Sequence, residues 1–449
     1  MKLEKFKKEL LDKAEKFGFE SSEIFINKSN SFDLRVFQQE VDHYSINEDK
    51  GLSFRGFLDG KLGYSYTEKM DENSIDMLLE NAKQNAEIID KKEGEIFSGS
   101  KNYKKLDLYN SNLNNIDSEE KIQIVKELEQ YAFNEDERIE AVNYCMYSDL
   151  EFEQGIINSK NLDLTFKNNI AYLFLSVVAK ENDEVRTASK FQITDDFSNF
   201  HPKEIAKKAV KEATSLFGAE TVKSGSYPVI LRNDIAAKIL ATFSSTLSAE
   251  NVQKGLSLFI DKIGKKVGSE KLNLIDDPFL EGGFNSMPFD GEGVATRKKE
   301  IIKNGKLKSY LHNLKTAKKA GVESTGNAYR SSHKSSVDIA PTNMYIEEGN
   351  HSYEDLIKSI DEGLIITDVQ GLHSGANSVS GDFSLGAFGY YIKEGKINHP
   401  VEQITISGNF IKMLKNIELI ANDFKLNLPG RGHFASPSLK IKSLDIAGK

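Results

Sequence analysis

The glycine-rich stretch Gly371-Leu-His-Ser-Gly-Ala-Asn-Ser-Val-Ser-Gly-Asp-Phe-Ser-Leu-Gly-Ala-Phe-Gly389 holds five glycines and four serines around one histidine and one aspartate. An ordinary helix is disfavoured there, because each glycine costs about 1 kcal/mol relative to alanine in a helix. Largely apolar segments at 364–369 and 390–392 flank the stretch, which is not typical of a disordered linker. Glycine at this density indicates backbone that turns sharply or approaches another segment closely. We therefore interpret the stretch as a backbone-rich binding surface built on strands.

The composition is that of a globular protein with an acidic balance. The chain has 449 residues, of which 39% are hydrophobic and 28% charged, and its formal net charge is −9. This length allows two or three domains, and no apolar run approaches the roughly 18 residues that indicate a membrane span. The acidic balance argues against broad electrostatic binding of nucleic acid. Residues 1–10 lack the uninterrupted apolar region of a signal peptide, so we expect a cytoplasmic protein.

The N-terminal half shows two successive sets of elements. Apolar residues recur at helical spacing over residues 3–17 and 72–90, and period-two alternation between these helices predicts strands. The predicted strands of this first set are 23–27, 32–37, 41–46, 51–57 and 61–66. The same order of elements, helix, strands and helix, is predicted again over residues 118–217. This repetition indicates an internal pseudo-repeat. The polar residues 91–115 are expected to form a loop or a connection between subdomains.

A domain boundary is predicted at Lys223-Ser-Gly-Ser-Tyr-Pro228, where turn-forming residues precede a new apolar strand. We therefore divide the chain into an N-terminal domain, 1–222, with a possible subdivision near 91–115, and a β-rich C-terminal domain, 223–449. Three dipeptides, Asp59-Gly60, Asn304-Gly305 and Glu394-Gly395, predict β-hairpins. The expected fold class is α+β. The N-terminal region has antiparallel strands with flanking helices, and the C-terminal domain is mostly antiparallel β with a few helices.

Residues that could carry chemistry are sparse. The eight histidines are never closer than eighteen residues apart, so no helix presents two of them to one zinc ion. No Gly-x-Ser-x-Gly nucleophile motif occurs. Cys145 is the single cysteine, and its place in a predicted strand indicates a small core residue. His373 and Ser374 are adjacent in a stretch interpreted as strand, where neighbouring side chains point to opposite faces, which argues against a Ser/His pair.

Six stretches, in this order, carry a resemblance to a known family. They are Ser286-Met-Pro-Phe-Asp-Gly-Glu-Gly-Val-Ala-Thr-Arg297, Ile302-Lys-Asn-Gly-Lys-Leu307, Ser324-Thr-Gly-Asn327, residues 371–385 of the stretch quoted above, Pro400-Val-Glu-Gln-Ile-Thr-Ile-Ser-Gly-Asn-Phe410 and Leu428-Pro-Gly-Arg-Gly-His-Phe-Ala-Ser-Pro-Ser438. Together they resemble the TldD/PmbA family, whose members are also labelled modulators of DNA gyrase. The resemblance covers essentially the whole chain, because the helix–meander start is also similar.

The resemblance implies where a zinc site would lie. In TldD-type members a helix after the domain boundary carries His-Glu-x-x-x-His, and a cysteine near the C-terminus completes the zinc site. The matching positions here are Ala241, Thr242 and Thr246, and residues 429–438 contain no cysteine. Zinc-dependent hydrolysis needs the metal and a base that activates its water. The chain therefore resembles the non-catalytic PmbA branch, also called TldE, and we expect no zinc cofactor in this chain and no activity from it alone.

The family resemblance implies that this chain acts within a TldD–TldE heterodimer. That complex degrades small or unfolded polypeptides in the cytoplasm, with zinc in the TldD-type subunit, and this chain would contribute the substrate chamber and the dimer interface. Strand edges offer main-chain hydrogen bonds that do not depend on peptide sequence. Candidate contacts with substrate or partner, for each of which a turn-forming or structural role is the alternative, are Asp290, Glu292, His373, Asp382 and Gln403.

Three other functions compete with the protease-subunit hypothesis. The first is a stand-alone homodimeric peptide-binding or regulatory protein without protease activity, which the missing ligands also allow. The second is a gyrase-linked or DNA-associated regulator, although the acidic balance argues against direct contact with DNA or RNA. The third is an independent zinc enzyme that uses distant histidines such as His312, His373 and His433.

Overall fold

The structure of the protein is a computed structural model that describes residues 1–89 and 96–449. Residues 91–95 of the predicted connection at 91–115 lie outside these described residues. No helix in the described ranges has both the length and the apolar character that crossing a bilayer requires.

The N-terminal half contains two sets of elements, which follow one another along the chain. The first set is α1 (Leu3–Lys16), β1 (Ser21–Phe37), β2 (Glu40–Leu58), β3 (Lys61–Thr67) and α2 (Glu72–Ile88). The second set is α3 (Ser118–Glu135), β4 (Ile139–Asn158), β5 (Asp163–Glu181), β6 (Glu184–Thr194) and α4 (Pro202–Thr214), with short 3-10 turns at Leu113–Asn115 and Phe197–Asn199. The order helix, three strands, helix occurs twice, as the pseudo-repeat predicted.

The two sets share one antiparallel sheet in the order β3-β2-β1-β4-β5-β6. They join through their first strands, where Ile24 of β1 is opposite Ile157 of β4. Helices α1 and α2 pack on the first three strands, over one apolar core. Helices α3 and α4 pack on β4, β5, β6 and the end of β1, over a second core that includes Phe32, Leu34 and Val36. Cys145 is fully buried in the second core, which confirms its predicted role as a small core residue.

The strands are longer than the alternation predicted. The separate strands expected at 23–27 and 32–37 belong to β1, which has 17 residues, and those at 41–46 and 51–57 belong to β2, which has 19. The predicted breaks are wrong because polar residues interrupt the alternation while the backbone pairing continues. Lys28, for example, is opposite Lys50 on one side and Glu153 on the other. Away from the core, a paired strand does not need apolar side chains.

The C-terminal half begins with β7 and ends with β20. Its elements are β7 (Gly225–Leu231), α5 (Asn233–Phe243), a 3-10 turn (Ser244–Leu247), α6 (Ala249–Gln253), β8 (Leu274–Asp276), β9 (Lys299–Lys303), β10 (Lys306–Leu307), α7 (Leu314–Ala320), β11 (Ala328–Tyr329), β12 (Asp338–Ile339), β13 (Asn343–Ile346), α8 (Tyr353–Lys358), β14 (Glu362–Gln370), α9 (Leu372–Gly375), β15 (Asp382–Lys393), β16 (Lys396–Asn409), α10 (Phe410–Lys415), β17 (Ile417–Ile420), β18 (Lys425–Leu426), β19 (His433–Ser436) and β20 (Leu439–Ala447). Most strand pairs are antiparallel, and β7–β14 and β13–β19 are parallel.

Two six-stranded sheets enclose the largest apolar core. Their strand orders are β16-β15-β14-β7-β20-β17 and β10-β9-β8-β13-β19-β18. Helix α5 contacts β14 of the first sheet and β19 of the second, and its Phe243 is buried in this core together with Ile302 and Ile366. The predicted α+β fold class is therefore confirmed.

The three predicted hairpins are present, and their turns have the left-handed backbone that the dipeptides indicated. The φ angles are 52° and 73° at Asp59-Gly60, 48° and 72° at Asn304-Gly305, and 52° and 69° at Glu394-Gly395. Positive φ at both central residues matches the twist of the paired strands. These turns join β2 to β3, β9 to β10 and β15 to β16.

The glycine-rich stretch is part helix and part central strand. Residues Leu372–Gly375 form the single helical turn α9, so the argument from opposite strand faces does not apply to His373 and Ser374. Strand β15 pairs with β16 along its whole length and with β14 from Gly386 to Lys393. From Gly386 onward its main-chain groups are used within the sheet on both sides, so this part of the stretch offers no free edge to a peptide. Before Gly386, β15 pairs with β16 and, at Phe383, with Ala376, and a binding role for that part stays a prediction.

Gly389 shows why glycine is required in β15. A Cβ atom at this position would lie 1.7 Å from the carbonyl oxygen of Ile365, whereas at Gly386 it would meet only the Cβ of Gln370 at 3.8 Å. The sheet at Gly389 can therefore close only without a side chain, while Gly386 has ordinary van der Waals space. The close approach inferred from the sequence occurs within the sheet.

We predict that Gly389→Ala lowers the free energy of unfolding by at least about 2 kcal/mol, because the added methyl group must push β14 and β15 apart. Gly386→Ala is the matched control in the same strand and should change stability by less than about 1 kcal/mol. Equilibrium unfolding in urea measures both values. Equal losses in the two variants would contradict this account of the stretch.

Candidate functional site

A cavity of about 720 Å³ opens between α5, α6 and the C-terminal segment 428–434. Its volume lies in the range of ligand-binding pockets. The residues that define its chemistry are Ala241, Ser245, Lys254, Asp338, Arg431 and Phe434. The cavity therefore lies beside the helix on which the family resemblance places a zinc motif.

Helix α5 ends earlier than the sequence predicts. Asn233-Asp234 can cap a helix that runs to about Leu247, but α5 stops at Phe243, where the 3-10 turn Ser244–Leu247 begins. The hydroxyl of Ser244 donates to the carbonyl oxygen of Ala241 at 2.7 Å, and that of Thr246 donates to Phe243 at 2.6 Å. Serine and threonine hydroxyls that bind the preceding turn compete with helix continuation.

The three positions matched to the zinc motif have different surroundings. Ala241 lines the cavity. The hydroxyl of Thr242 donates to the carbonyl oxygen of Lys238 at 2.9 Å, and Thr246 is completely buried. Zinc in proteins is held by sulfur, imidazole or carboxylate ligands, so the residues at these positions do not fit a zinc ion.

The segment from Leu428 to Phe434 forms the opposite wall of the cavity. Its one histidine, His433, is buried, with Nε2 2.6 Å from the carbonyl oxygen of Asn427 and Nδ1 accepting a hydrogen bond from the backbone N–H of Phe284 at 3.1 Å. Burial lowers the pKa of His433 to about 4. Both ring nitrogens are engaged, so His433 supports the wall rather than binding a ligand in the cavity.

The charges that line the cavity are paired. The guanidinium of Arg431 contacts the carboxylate of Asp338 and donates to the carbonyl oxygen of Ile339 at 3.0 Å. Lys254 lies 2.8 Å from Glu250. Four serines, Ser244, Ser245, Ser248 and Ser336, add hydroxyl groups. Balanced charge and many neutral polar groups suit an uncharged polar chain, such as a peptide main chain, better than a polyanion.

Asp290 and Glu292 are placed by the structure inside the molecule rather than at this cavity. Their relative exposures are 2% and 5%. Asp290 accepts hydrogen bonds from the backbone N–H groups of Glu292, Val294 and Ala328 at 2.9–3.0 Å. Neither carboxylate can reach a peptide in solvent, so the turn-forming alternative describes Asp290, and the expectation of substrate contact is corrected for both residues.

Glu292 belongs to a buried charge cluster that we define as Glu23, Arg55, Glu292 and Arg330. Arg55 donates to both carboxylate oxygens of Glu23 at 2.8 and 3.0 Å and to Glu292 at 3.0 Å, and Arg330 contacts Glu23. The four side chains are at most 8% exposed. Burial opposes the charge of Glu23, but the two guanidiniums hold its pKa below the usual value. The cluster joins the N-terminal sheet to the C-terminal half.

The other predicted contacts lie on the surface. His373 is exposed on α9, and Asp382 is exposed at the start of β15, where it accepts a hydrogen bond from the Asn409 amide at 2.9 Å. That bond lowers the pKa of Asp382. Gln403 is exposed at an irregularity of β16 and has a φ of 53°. None of the three lines the cavity, and their role as interface residues stays a prediction.

The histidines proposed for an independent zinc enzyme do not converge. Within residues 1–89 and 96–449, the only group of three or more potential metal ligands is Asp49, Glu68 and His333. It contains none of His312, His373 and His433. Sequence reasoning missed this group, the buried charge cluster and Arg431. Of these residues, only Arg431 could have been singled out from its neighbours in the sequence, because it lies between two glycines within the motif at 428–438.

Three family models match the chain in succession. The PmbA/TldA metallopeptidase domain 1 matches residues 22–86, the central domain matches 111–217, and the C-terminal domain matches 224–448. The chain belongs to the PmbA/TldD family, as its six motifs predicted.

Individual relatives match this chain in sequence or in structure over nearly all of its length. A metalloprotease PmbA homologue of Buchnera aphidicola is 27% identical over 450 residues, which cover 95% of this chain and 93% of that protein. A putative modulator of a DNA gyrase from Thermotoga maritima is 35% identical with a TM-score of 0.92, covering 99% of this chain and 100% of that one. TldE from Thermococcus kodakarensis is 25% identical with a TM-score of 0.91 and the same coverage.

Asp290 should make stability depend on pH. Burial and the nearby charge of Glu292 raise its pKa to about 7, above that of an unfolded aspartate, so the folded chain holds an extra proton between about pH 4 and 7. The stabilisation is complete below about pH 4 and is lost as the pH rises through 7. We predict that the wild type gains about 2 kcal/mol from pH 8 to pH 5.5 relative to Asp290→Asn.

Urea unfolding of both proteins at the two pH values measures this difference. The comparison with Asp290→Asn removes the contribution of the histidines, which are common to both proteins. Parallel pH profiles would show that Asp290 stays ionised in the folded chain and would contradict the prediction.

Proposed function

We propose that this chain is the non-catalytic, TldE/PmbA-like subunit of a two-subunit metallopeptidase. In this proposal a TldD-type partner carries the zinc ion, and this chain supplies part of the substrate chamber and the dimer interface. One observation carries the proposal: the cavity lies beside the helix matched to the zinc motif, yet Ala241, Thr242 and Thr246 offer no zinc ligand. The space for a substrate is retained without the groups for metal chemistry.

The relatives support a metallopeptidase context. The family models are described as metallopeptidase domains, and one solved relative is named TldE. Because the chain resembles the TldE branch of the family, we propose a TldD-type protein as its second subunit. We further propose a cytoplasmic location and no direct contact with nucleic acid, in line with the acidic composition.

The proposed substrate is a small or unfolded polypeptide. Serine hydroxyls and the carbonyl groups of the cavity wall can bind amide groups of any sequence, while Phe434 and Leu428 provide apolar contact. Arg431 contacts Asp338, donates to the carbonyl oxygen of Ile339 and lies over the Tyr329 ring, 5.9 Å from its centroid. Its side chain is 58% exposed, so a substrate at the cavity wall can reach it. In this chain these residues bind and orient a peptide, and no proton transfer is assigned to them.

A stand-alone homodimeric peptide-binding or regulatory protein is the second candidate function. The same cavity without metal ligands favours it, because peptide binding needs no catalytic partner. The two functions differ in one observable property, since only the subunit proposal requires a measurable effect on the partner's peptidase activity.

We predict that the purified chain alone does not cleave an unfolded polypeptide, and that its addition raises cleavage by a TldD-type partner. Arg431→Ala should reduce this stimulation severalfold while leaving complex formation intact, because Arg431 lines the cavity. Arg297→Ala, at an exposed arginine outside the cavity lining, is the matched control and should behave as the wild type.

The assay follows peptide release, and size-exclusion chromatography follows the complex. Equal cleavage by the partner with and without this chain would contradict the subunit proposal. Peptide binding by the chain without any effect on the partner would favour the stand-alone function.

A further inference from the structure

The imidazole of His333 is buried between two carboxylates and has no hydrogen-bond partner among residues 1–89 and 96–449. Its side chain is 0% exposed, with Nδ1 3.9 Å from Asp49 and Nε2 3.8 Å from Glu68. Both ring nitrogens are buried, and neither is hydrogen-bonded to a residue in the described part of the chain. A buried polar side chain without a partner carries a desolvation penalty that a native structure normally relieves. A bound ligand is one way to relieve it.

The chain holds this imidazole in place from two sides. The ring lies directly against Gly51 of β2, where an added Cβ would come within 2.3 Å of Nε2. The hydroxyl of Tyr64 in β3 donates to the carbonyl oxygen of His333 at 2.6 Å. The position of the ring is therefore fixed by the sheet, and the slot that admits it exists because residue 51 has no side chain.

One carboxylate, Asp49, lies on β2, and the other, Glu68, directly follows β3. Leu52 of β2 pairs with Thr67 of β3, so Asp49 and Glu68 lie just beyond the end of that pairing. Their side chains are 49% and 54% exposed, which leaves them free to rotate and leaves the group open to solvent. One ligand atom from each of the three residues lies within 4.8 Å of the other two.

One imidazole and two carboxylates form a donor set that suits zinc. Zinc binds nitrogen and oxygen ligands at about 2.0–2.2 Å, so tetrahedral donors stand about 3.3 Å apart. Asp49 lies 3.9 Å from Nδ1 and Glu68 lies 3.8 Å from Nε2, so the two carboxylates face different ring nitrogens. A zinc ion takes only one of these nitrogens, and the carboxylate beside the other one must rotate towards it, which the exposure of both carboxylates allows. The fourth position faces solvent and can hold water.

Lys334 competes for one of these ligands. Its ammonium lies 2.5 Å from Glu68, and both side chains are about half exposed, at 48% and 54%. Exposed ion pairs contribute little stability, so a divalent cation can displace this lysine. The competition also provides a test, since removal of the lysine should strengthen metal binding.

We propose that Asp49, Glu68 and His333 bind one zinc ion at the junction between the N-terminal sheet and the loop that follows β11. The site is distinct from the positions matched to the family's zinc motif, and it does not depend on the proposed peptidase role. The ion would tie the loop to β2 and to the residue after β3, and it would give one nitrogen of the buried imidazole a ligand. The three ligands are separate from the residues that line the cavity, so the ion would act on the junction and not on a bound peptide.

Titration of the full-length, metal-free chain with zinc chloride by isothermal calorimetry tests this proposal. We expect one ion per chain and a higher Tm with zinc present. His333→Gln, Asp49→Asn and Glu68→Gln should each weaken binding at least tenfold. The two acidic positions are exposed, so their variants report on binding even if the histidine variant folds poorly.

Three further variants distinguish a built site from nonspecific binding by surface histidines. Gly51→Ala keeps all three ligands but pushes the imidazole out of its slot, and it should also weaken binding at least tenfold. Lys334→Met should strengthen binding, and His201→Gln, at an exposed histidine elsewhere, should have no effect. Absence of stoichiometric binding, or binding that the three ligand variants leave unchanged, would overturn the proposal.

Discussion

The buried charge cluster of Glu23, Arg55, Glu292 and Arg330 is the interaction on which the arrangement of the two halves depends. Glu23 and Arg55 lie on β1 and β2 of the N-terminal sheet, while Glu292 and Arg330 come from the C-terminal half. The desolvation of four charges is tolerated because each carboxylate is bound by guanidinium groups at hydrogen-bonding distance. Removing one member of such a network leaves an uncompensated charge, at a cost of about 3–5 kcal/mol.

The buried charge cluster is close in sequence to residues of both candidate sites. Arg330 is three residues before His333, and the same segment leads on to Asp338 at the cavity. Glu292 also accepts a hydrogen bond from the backbone N–H of Leu314, the first residue of α7. The motif from Ser286 to Arg297 thus contributes, through Glu292, to the contact between the two halves of the chain.

Local signals in the sequence predicted local structure well. Helical spacing located α1, and Asp59-Gly60 predicted a hairpin with the observed left-handed turn. Strand lengths were not predictable in this way, because pairing in β1 continues through polar residues that have no core to face. The end of helix α5 at Phe243 was also not predictable from the sequence, because it depends on which carbonyl groups the hydroxyls of Ser244 and Thr246 bind.

The candidate sites were less predictable than the fold, because they are made by residues far apart in sequence. Arg330 and Glu23 are separated by 307 residues, and no spacing rule connects them. Asp290 and Glu292 were singled out as acids among glycines, but a sequence cannot tell a buried turn from an exposed one. The family resemblance located the helix of the cavity, and only the structure placed Arg431 opposite that helix.

The most direct test of this account is the stability of Glu23→Gln, measured by urea unfolding with separate probes for the two halves. The account predicts a loss of about 3 kcal/mol or more, with the N-terminal sheet unfolding before the C-terminal half. Glu20→Gln, at an exposed glutamate nearby, should change stability by less than about 0.5 kcal/mol. A single unchanged transition in Glu23→Gln would contradict the claim that the cluster holds the two halves together.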